Sequence, residues 1–246
     1  MGTERCGPLV QAGILPQGVG GPMSDYRYLT LDCYGTLIDW RAGIAEHLGG
    51  LLRRHGVDLA PEELLRVYVE EEHRLESGPY RRYREILMES ARATAARFGV
   101  SLSKAEARRF AESLPSWPPF PDTVDGLKAF RVLGFRRVIL SNVDRDLLAE
   151  TVRRHGLEID GAITAEDTRT YKPNPQHWLA FCARYGARRE EILHIAQSLL
   201  HDIRPALQLK IDCVWLNRYQ EPVPEDVQPT EIFYDMDALV GWLLTR

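Results

Sequence analysis

The sequence predicts an α/β fold, a doubly wound parallel sheet with an all-helical segment inserted after its first strand. From residue 117 onwards, short apolar runs alternate with segments of helical periodicity, as in sheets built from right-handed crossovers. Between residues 41 and 114, helical segments follow one another and no strand pattern interrupts them. At 246 residues, the chain has room for one large domain or for a core with a smaller insert.

We therefore divide the chain into a leader, a core and an insert. Residues 1–22 are rich in glycine and proline and lack periodicity, so we expect either a disordered leader or an upstream start that the cell does not use, and in both cases removal should leave activity intact. Residues 23–40 and 115–246 are predicted to form the α/β core. Residues 41–114 are predicted to form the helical insert.

Each predicted element follows from its own local pattern. Short apolar runs that end at polar groups indicate strands at 28–31, 137–140, 162–164, 192–195, 213–216 and, at an edge, 232–234. Apolar residues at helical spacing indicate helices at 40–55, from Pro61 onwards, and at 80–98, 103–114, 124–133, 147–155 and 176–185. Ser103 and Glu106 are spaced as a capping box at the start of one of these helices.

Composition excludes several classes of function. A hydrophobic fraction of 44% with 27% charged residues is typical of a globular protein. The net charge of −4 gives no reason to expect nucleic acid or an anionic membrane as a partner. No apolar run approaches the roughly 18 residues of a membrane span. The four cysteines are widely spaced and form no Cys-x-x-Cys pair, so we expect neither zinc nor disulfides, and a reducing cytoplasm.

The strongest candidate for chemistry is Asp32, which directly follows the first buried strand. A carboxylate at the carboxyl end of a parallel strand lies in the crevice where such folds bind ligands. It can act as a nucleophile through an ester intermediate, although a capping aspartate is the alternative. Gly35 permits the sharp turn behind it, and Thr36 can hold one carboxylate oxygen.

Two further segments supply donors for an anionic substrate. Ser141 and Asn142 follow the second strand and could hold an anionic oxygen, cap the next helix, or both. Tyr34 stands where a phosphotransfer enzyme needs a second acid, and its phenol stays protonated near neutrality. Tyr34 can therefore pack against a substrate or donate one hydrogen bond, but it cannot supply a carboxylate.

Lys172 and Asp202 complete the predicted site. Lys172 precedes a proline, cannot sit inside a helix, and is expected to pair with Asp32 and keep it ionised. Asp202 is expected to orient Lys172 or to position the water that hydrolyses the ester; a helix-start charge is the alternative. Position 197, which would need an acid to complete a magnesium site, holds Gln197. We therefore expect no metal and no other cofactor.

These motifs, in this order and spacing, resemble the haloacid dehalogenase superfamily from residue 25 to the C-terminus. The sequences Asp-Cys-Tyr-Gly-Thr-Leu at 32–37, Ser-Asn at 141–142 and Tyr-Lys-Pro-Asn-Pro at 171–175 are most similar to the type II 2-haloacid dehalogenase branch. That branch has tyrosine two residues after the nucleophile and needs no metal. Residues 196–202 also resemble azetidine-2-carboxylate hydrolase, a metal-free relative that opens a strained cyclic amino acid.

The resemblance implies a HAD-like Rossmannoid core with the helical insert as a cap that closes over the site. It implies that Asp32 attacks the carbon bearing the leaving group, that Ser141 and Asn142 hold the substrate carboxylate, and that Asp202 with Ser198 helps to activate water. It also implies a small carboxylate as substrate and a possible homodimer.

Three positions depart from the family pattern. The family carries an arginine in the second cap helix, where this chain has Glu70-Glu71-Glu72, so Arg81 or Arg82 would have to substitute. The family tyrosine six residues after the lysine is Trp178, which we expect near the substrate. The asparagines of the last family motif are replaced by the segment at 197–202.

Four functions therefore remain open on the sequence. The first is metal-independent hydrolysis of small 2-substituted carboxylates, most simply 2-haloacids. The second is ring opening of a strained cyclic amino acid, which releases no halide. A phosphatase is disfavoured by Tyr34 and Gln197. A retired enzyme fold used for binding is disfavoured by the retained Asp32, Ser141 and Lys172.

Overall fold

The computed structural model describes residues 26–246, so the predicted leader lies outside the described residues. The strands are β1 (Tyr28–Leu31), β2 (Arg136–Ser141), β3 (Gly161–Thr164), β4 (Ile192–Ala196), β5 (Asp212–Leu216) and β6 (Glu231–Phe233). They form one six-stranded sheet in the order β3-β2-β1-β4-β5-β6, and every neighbouring pair is parallel. The predicted parallel α/β fold is confirmed.

The strand order reverses direction at β1, which lies between β2 and β4. Leu31 is in register with Ile139 of β2 and with Ile195 of β4. The residues that follow these strands therefore emerge side by side at one edge of the sheet. This is the topological switch point where open α/β sheets bind ligands.

Helices cover both faces of the sheet. The helices that follow the insert are α5 (Thr123–Val132), α6 (Arg145–His155), α7 (Ala165–Thr168), α8 (Gln176–Tyr185), α9 (Arg204–Gln208) and α10 (Met236–Leu243). Alternate residues of β1 point to opposite faces, so Leu29 packs with Phe130 of α5, whereas Tyr28 packs with Phe181 of α8. Both faces are buried, as in a parallel sheet flanked by crossover helices.

The insert between β1 and β2 contains α1 (Trp40–Arg54), α2 (Pro61–Glu76), α3 (Tyr83–Arg97) and α4 (Lys104–Ser113). Its apolar side chains, among them Leu48, Leu87 and Phe110, belong to the same buried cluster as Leu29 of the sheet. The insert is therefore packed on the core through a continuous apolar contact. None of the helices in residues 26–246 is long and apolar enough to cross a membrane.

The starts of two insert helices, α4 and α3, were predicted from local patterns, one correctly and one not. The capping box at α4 is confirmed, because Ser103 Oγ accepts from the Glu106 amide and Glu106 Oε2 accepts from the Ser103 amide. The helix expected from residue 80 begins instead at Tyr83. The carboxylate of Asp144, which belongs to the core, accepts hydrogen bonds from the amides of Tyr83 and Arg84 and so caps α3 from outside the insert. A long-range cap of this kind leaves no local sequence signal.

Candidate active site

The Asp32 carboxylate stands at the carboxyl end of β1 and is 7% exposed. Thr36 Oγ1 donates to Asp32 Oδ2 over 2.8 Å, and the Asp32 amide donates to the Ile195 carbonyl of β4 over 3.1 Å. Gly35 turns the chain with φ of 106°, and a Cβ there would lie 3.0 Å from Trp40 Nε1. The turn therefore requires glycine at this position and fixes the orientation of the carboxylate.

Lys172 joins the two acids of the predicted site. Its Nζ lies 2.8 Å from Asp32 Oδ1, 2.6 Å from Asp202 Oδ1 and 2.9 Å from the Leu140 carbonyl oxygen. All three ammonium donors are thus used, and the side chain is 2% exposed. The structure brings together Asp32, Thr36, Lys172 and Asp202 as the sequence predicted.

The electrostatics of this triad depend on burial and on the shared ammonium group. Burial raises the pKa of Asp32, and the Lys172 ammonium opposes this effect. Burial also disfavours the ionised Asp202, but Lys172 and His194 outweigh it and hold the pKa of Asp202 at about 2. Burial opposes the charge of Lys172, yet the carboxylates of Asp202 and Asp32 raise its pKa above the ordinary value. The lysine is therefore charged at neutral pH.

Asp202 is held from behind by a residue that the sequence analysis missed. His194 Nε2, on β4, lies 3.1 Å from Asp202 Oδ1, and His194 Nδ1 lies 3.0 Å from Thr30 Oγ1 on β1. An ionised carboxylate only accepts, so Nε2 is the protonated ring nitrogen. The other carboxylate oxygen, Oδ2, is buried and has no partner among residues 26–246.

Ser141 and Asn142 lie beside Lys172. Asn142 was expected to hold an anionic oxygen, but its side chain contacts the protein backbone. Asn142 Oδ1 accepts from the Lys172 amide over 2.7 Å, and Nδ2 donates to the Lys172 carbonyl over 3.3 Å. The side chain therefore clamps the lysine backbone instead of offering both polar atoms to a substrate. Ser141 is buried, and its carbonyl oxygen accepts from His177 Nε2 over 3.2 Å.

Tyr34 and Ser198 are engaged by other protein groups. Tyr34 Oη lies 2.6 Å from Thr151 Oγ1, and its ring packs edge-on against Trp117. Burial raises the pKa of Tyr34 well above the ordinary value, so the phenol stays protonated. Ser198 Oγ accepts from the His201 amide over 3.0 Å and caps the short π-helical turn Leu199–Ile203. In this arrangement Ser198 positions the turn that carries Asp202.

Two substrate contacts expected from the resemblance are corrected by the structure. Arg82 lies 3.6 Å from Asp144, 3.3 Å from Asp146 and 3.7 Å from Glu166, so its charge is used between the insert and the core. Trp178 is completely buried in the apolar cluster on one face of the sheet and packs edge-on against His194. Its contact is with the residue behind Asp202, which a substrate does not reach.

A cavity of about 250 Å³ opens beside Lys172, between the end of α2 and the loop that carries the lysine. It has room for a molecule of a few heavy atoms. Its charged and ring-bearing lining comprises His73, Glu76, Tyr80, Arg169, Tyr171, Lys172 and His201. Of these, Lys172 was singled out from the sequence as a site residue. Glu76 follows the run Glu70-Glu71-Glu72 on α2, and only folding shows that it lines the cavity.

The residues around Asp32 do not fit the magnesium ion that many proteins of related architecture bind. Asp32 Oδ1 is used by Lys172, Gln197 is a neutral amide, and Tyr34 offers a phenol that bonds Thr151. Within residues 26–246, no group of three His, Cys, Asp or Glu side chains is arranged to hold a metal ion. The two carboxylates, Asp32 and Asp202, are joined by the Lys172 ammonium group and have no third acid beside them in this part of the chain, whereas Mg²⁺ prefers several anionic oxygens, so we derive no step through a metal.

Comparisons with known proteins agree with this architecture. Residues 26–208 match the model of the haloacid dehalogenase-like hydrolases. The chain is 25% identical over 207 residues to (S)-2-haloacid dehalogenase 1 of Pseudomonas sp. strain CBS-3, which covers 81% of this chain and 88% of that protein. It is 24% identical over 227 residues to the (S)-2-haloacid dehalogenase of Pseudomonas fluorescens, over 90% and 98% of the two chains.

A solved structure shows the same fold. The L-2-haloacid dehalogenase of Xanthobacter autotrophicus, with chloropropionic acid covalently bound, superposes with a TM-score of 0.75 at 18% identity, over 89% of this chain and 98% of the other. Fold, site and family model define a hydrolase of the HAD-like class. The chain belongs to the haloacid dehalogenase-like hydrolases.

Proposed function

We propose that this protein hydrolyses small 2-substituted carboxylic acids without a metal, through an ester on Asp32, and that a 2-haloacid is its simplest substrate. The observation that carries the proposal is the position of Lys172 Nζ, 2.8 Å from Asp32 and 2.6 Å from Asp202. A single buried cation holds a nucleophilic carboxylate and a second acid at one sheet edge, next to a cavity.

In the first step, an Asp32 carboxylate oxygen attacks carbon 2 of the substrate. The new C–O bond forms as the bond to the leaving group breaks, and the leaving group departs with the electron pair, as halide from a haloacid. Thr36 and Lys172 bind Asp32 Oδ2 and Oδ1, respectively, which fixes the direction of attack. A reactant held in line with the nucleophile gains a large part of the rate enhancement from orientation alone, up to about 7–11 kcal/mol.

In the second step, water attacks the Asp32 carbonyl carbon of the ester, which releases the 2-hydroxy acid and restores the carboxylate. Asp202 supports this step because its Oδ2 is buried and has no partner among residues 26–246. With a pKa of about 2, Asp202 is a weak base. We therefore assign it the orientation of the water and of Lys172, while the proton leaves with solvent.

The relatives support the choice of halide as leaving group. Two proteins similar over most of their length are named (S)-2-haloacid dehalogenases. The cavity of about 250 Å³ suits substrates of the size of chloroacetate or 2-chloropropionate. The two steps need only the nucleophile Asp32, the orienting groups around it and water, so the proposed reaction requires no cofactor.

The proposal is tested by halide release from chloroacetate and from each enantiomer of 2-chloropropionate, measured by ion chromatography with and without EDTA. We expect release that EDTA does not affect and that Asp32→Asn abolishes. Single turnover in ¹⁸O-water, followed by mass spectrometry, should label Asp32. Label in the product but not in Asp32 during the first turnover would contradict an ester intermediate.

A second candidate is the hydrolytic opening of a strained cyclic amino acid, in which a ring nitrogen leaves in place of halide. The observation that favours it is the carboxyl group of Glu76, which lines the cavity from α2, the helix in which the dehalogenase family carries an arginine. The same labelling of Asp32, without halide release, would identify this reaction. Conversion of a phosphate ester that depends on Mg²⁺ would contradict both candidates.

A further inference from the structure

The carboxyl group of Glu76, at the end of α2, is buried in the wall of the cavity beside Lys172. Its side chain is 8% exposed, and both residues belong to the lining of the same cavity. The nearest titratable partner is His201, whose Nε2 lies 3.8 Å from Glu76 Oε2. Glu76 thus faces the cavity beside Lys172, and the side chain of Asn142 also hydrogen-bonds its carboxyl group.

No protein cation neutralises this carboxyl group. Within the part of the chain that the structure describes, His201 is the one ion-pair partner of Glu76, and burial lowers the pKa of His201 to about 4. The imidazole is therefore neutral near pH 7. Lys172 favours the ionised form of Glu76 from a distance, but its three donors are used by Asp32, Asp202 and Leu140.

The insert behind Glu76 adds negative charge. Glu72, one helical turn earlier, is half-buried and accepts hydrogen bonds from Tyr68 Oη over 3.0 Å and from Tyr83 Oη over 2.7 Å. Tyrosine hydroxyls satisfy Glu72 without supplying a positive charge. Burial, followed by the charge of Glu72, raises the pKa of Glu76 well above its ordinary value. Glu76 is consequently a carboxyl group whose ionised form lacks a counterion.

The charges around the cavity are thus unbalanced for an anionic ligand. Glu76 lines the cavity, and Asp32 and Asp202 contact Lys172 from behind the lining, so three carboxyl groups surround one buried ammonium group. Arg169 also lines the cavity, but its side chain is exposed and stacks over the ring of Tyr80. A substrate that carries a carboxylate alone adds a further negative charge. A substrate that also carries a cation would instead neutralise Glu76, and a buried charge is stable only when it is paired.

We propose that Glu76 is a subsite for a protonated nitrogen, so that the preferred substrates are small zwitterions with an ammonium group near the 2-substituted carboxylate. The ammonium group would donate to the Glu76 carboxylate inside the cavity, while the substrate carboxylate lies toward the exposed Arg169. This inference rests on the proposed function for the class of 2-substituted acid. It adds that the substrate carries a positively charged nitrogen in addition to its carboxylate.

The test compares two isosteric product analogues by calorimetry on the full chain. 2-Hydroxybutyrate and 3-amino-2-hydroxypropionate differ in one group, a methyl in the first and an ammonium in the second. We expect the ammonium compound to bind at least about tenfold more tightly to the native protein, as a buried charge-assisted hydrogen bond allows. In Glu76→Gln this preference should vanish, and binding of 2-hydroxybutyrate should not weaken.

Glu63→Gln is the matched control, because Glu63 lies on the same helix and is exposed. It should keep the native preference, and thermal unfolding should show that both variants are folded. Equal binding of the two compounds to the native protein, a preference unchanged in Glu76→Gln, or no binding of the ammonium compound at millimolar concentration would overturn the inference. Since the measurement needs no turnover, a failure to release halide would count against the proposed function alone.

Discussion

His194 Nε2 lies 3.1 Å from the same Asp202 oxygen that receives Lys172 Nζ over 2.6 Å. Asp202 is therefore held from two sides, by an ammonium group toward the cavity and by an imidazole toward the interior of the sheet. The imidazole is in turn fixed by Thr30 and by the ring of Trp178. This arrangement makes His194 a positioning residue that no substrate touches.

We predict that His194→Phe lowers kcat by about tenfold and leaves KM unchanged. Phenylalanine keeps the contact with Trp178 but removes the hydrogen bond to Asp202, so the acid loses part of its orientation without any change in the cavity wall. The loss corresponds to about one hydrogen bond to a charged group. Steady-state kinetics with 2-chloropropionate provides the measurement. A KM that rises with unchanged kcat would contradict the assignment.

Lys172→Met should remove activity by about 10²- to 10³-fold, since the nucleophile and the second acid lose their common cation. The variant should also be less stable at neutral pH by about 3 kcal/mol, because two buried carboxyl groups are left without a partner. Lys128→Met is the control, since Lys128 is half exposed and pairs with an exposed Asp125. Chemical denaturation at pH 7 measures the difference. Equal midpoints for both variants would count against a buried ion triad.

The stability of the protein should fall in acid partly through Asp202. Its pKa is about 2 when folded and near the ordinary value of 3.8 when unfolded, so the unfolded state binds the proton first. The contribution of Asp202 is therefore fully present above about pH 4 and is lost as the pH falls toward about 2. Asp32 has the opposite effect on stability in acid. Burial disfavours its ionised form and raises its folded pKa, so protonation of Asp32 favours the folded state.

We expect Asp202→Asn to flatten the decline of stability between about pH 4 and pH 2, and to destabilise the protein at pH 7 through the lost partner of Lys172. Asp58→Asn, at a side chain that is 82% exposed, should leave the pH profile unchanged. Urea midpoints at several pH values supply the comparison. Parallel profiles for native protein and Asp202→Asn would show that Asp202 does not titrate as described.

Asp144 should contribute more to the stability of the packed insert than its neighbour Asp146. Asp144 is 1% exposed and caps α3 through the amides of Tyr83 and Arg84, whereas Asp146 is 57% exposed and contacts the insert only through the side chains of Arg82 and Arg84. We predict that Asp144→Ala lowers the free energy of unfolding by about 1–2 kcal/mol and raises KM. Asp146→Ala should change the same quantity by less than about 0.5 kcal/mol. Thermal unfolding and kinetics of the two variants distinguish them.

The contact among Asp32, Lys172 and Asp202 was predictable from the sequence because these residues follow strand ends. Apolar runs fix the parallel strands, and parallel strands bring their carboxyl ends to one edge, so Asp32 and Lys172 had to meet. Asp202 was predictable for the same reason, as it follows β4 by a few residues. Local patterns also determined the fold class and the capping box of α4.

Other assignments failed or were missed because they depend on packing between distant segments. Arg82 is drawn to Asp144, Asp146 and Glu166 of the core, which no local pattern reveals. Trp178 was placed by analogy with a family position, yet the core buries it against His194.

The sequence by itself determined the parallel sheet and the position of Asp32 at the end of β1, because strand periodicity and turn chemistry act over a few residues. Only the tertiary structure decided which acid of α2 faces the cavity, that His194 supports Asp202, and that Asn142 holds the lysine backbone. Those relationships join residues far apart in the chain, and their geometry is set by how the insert and the helices pack on the sheet.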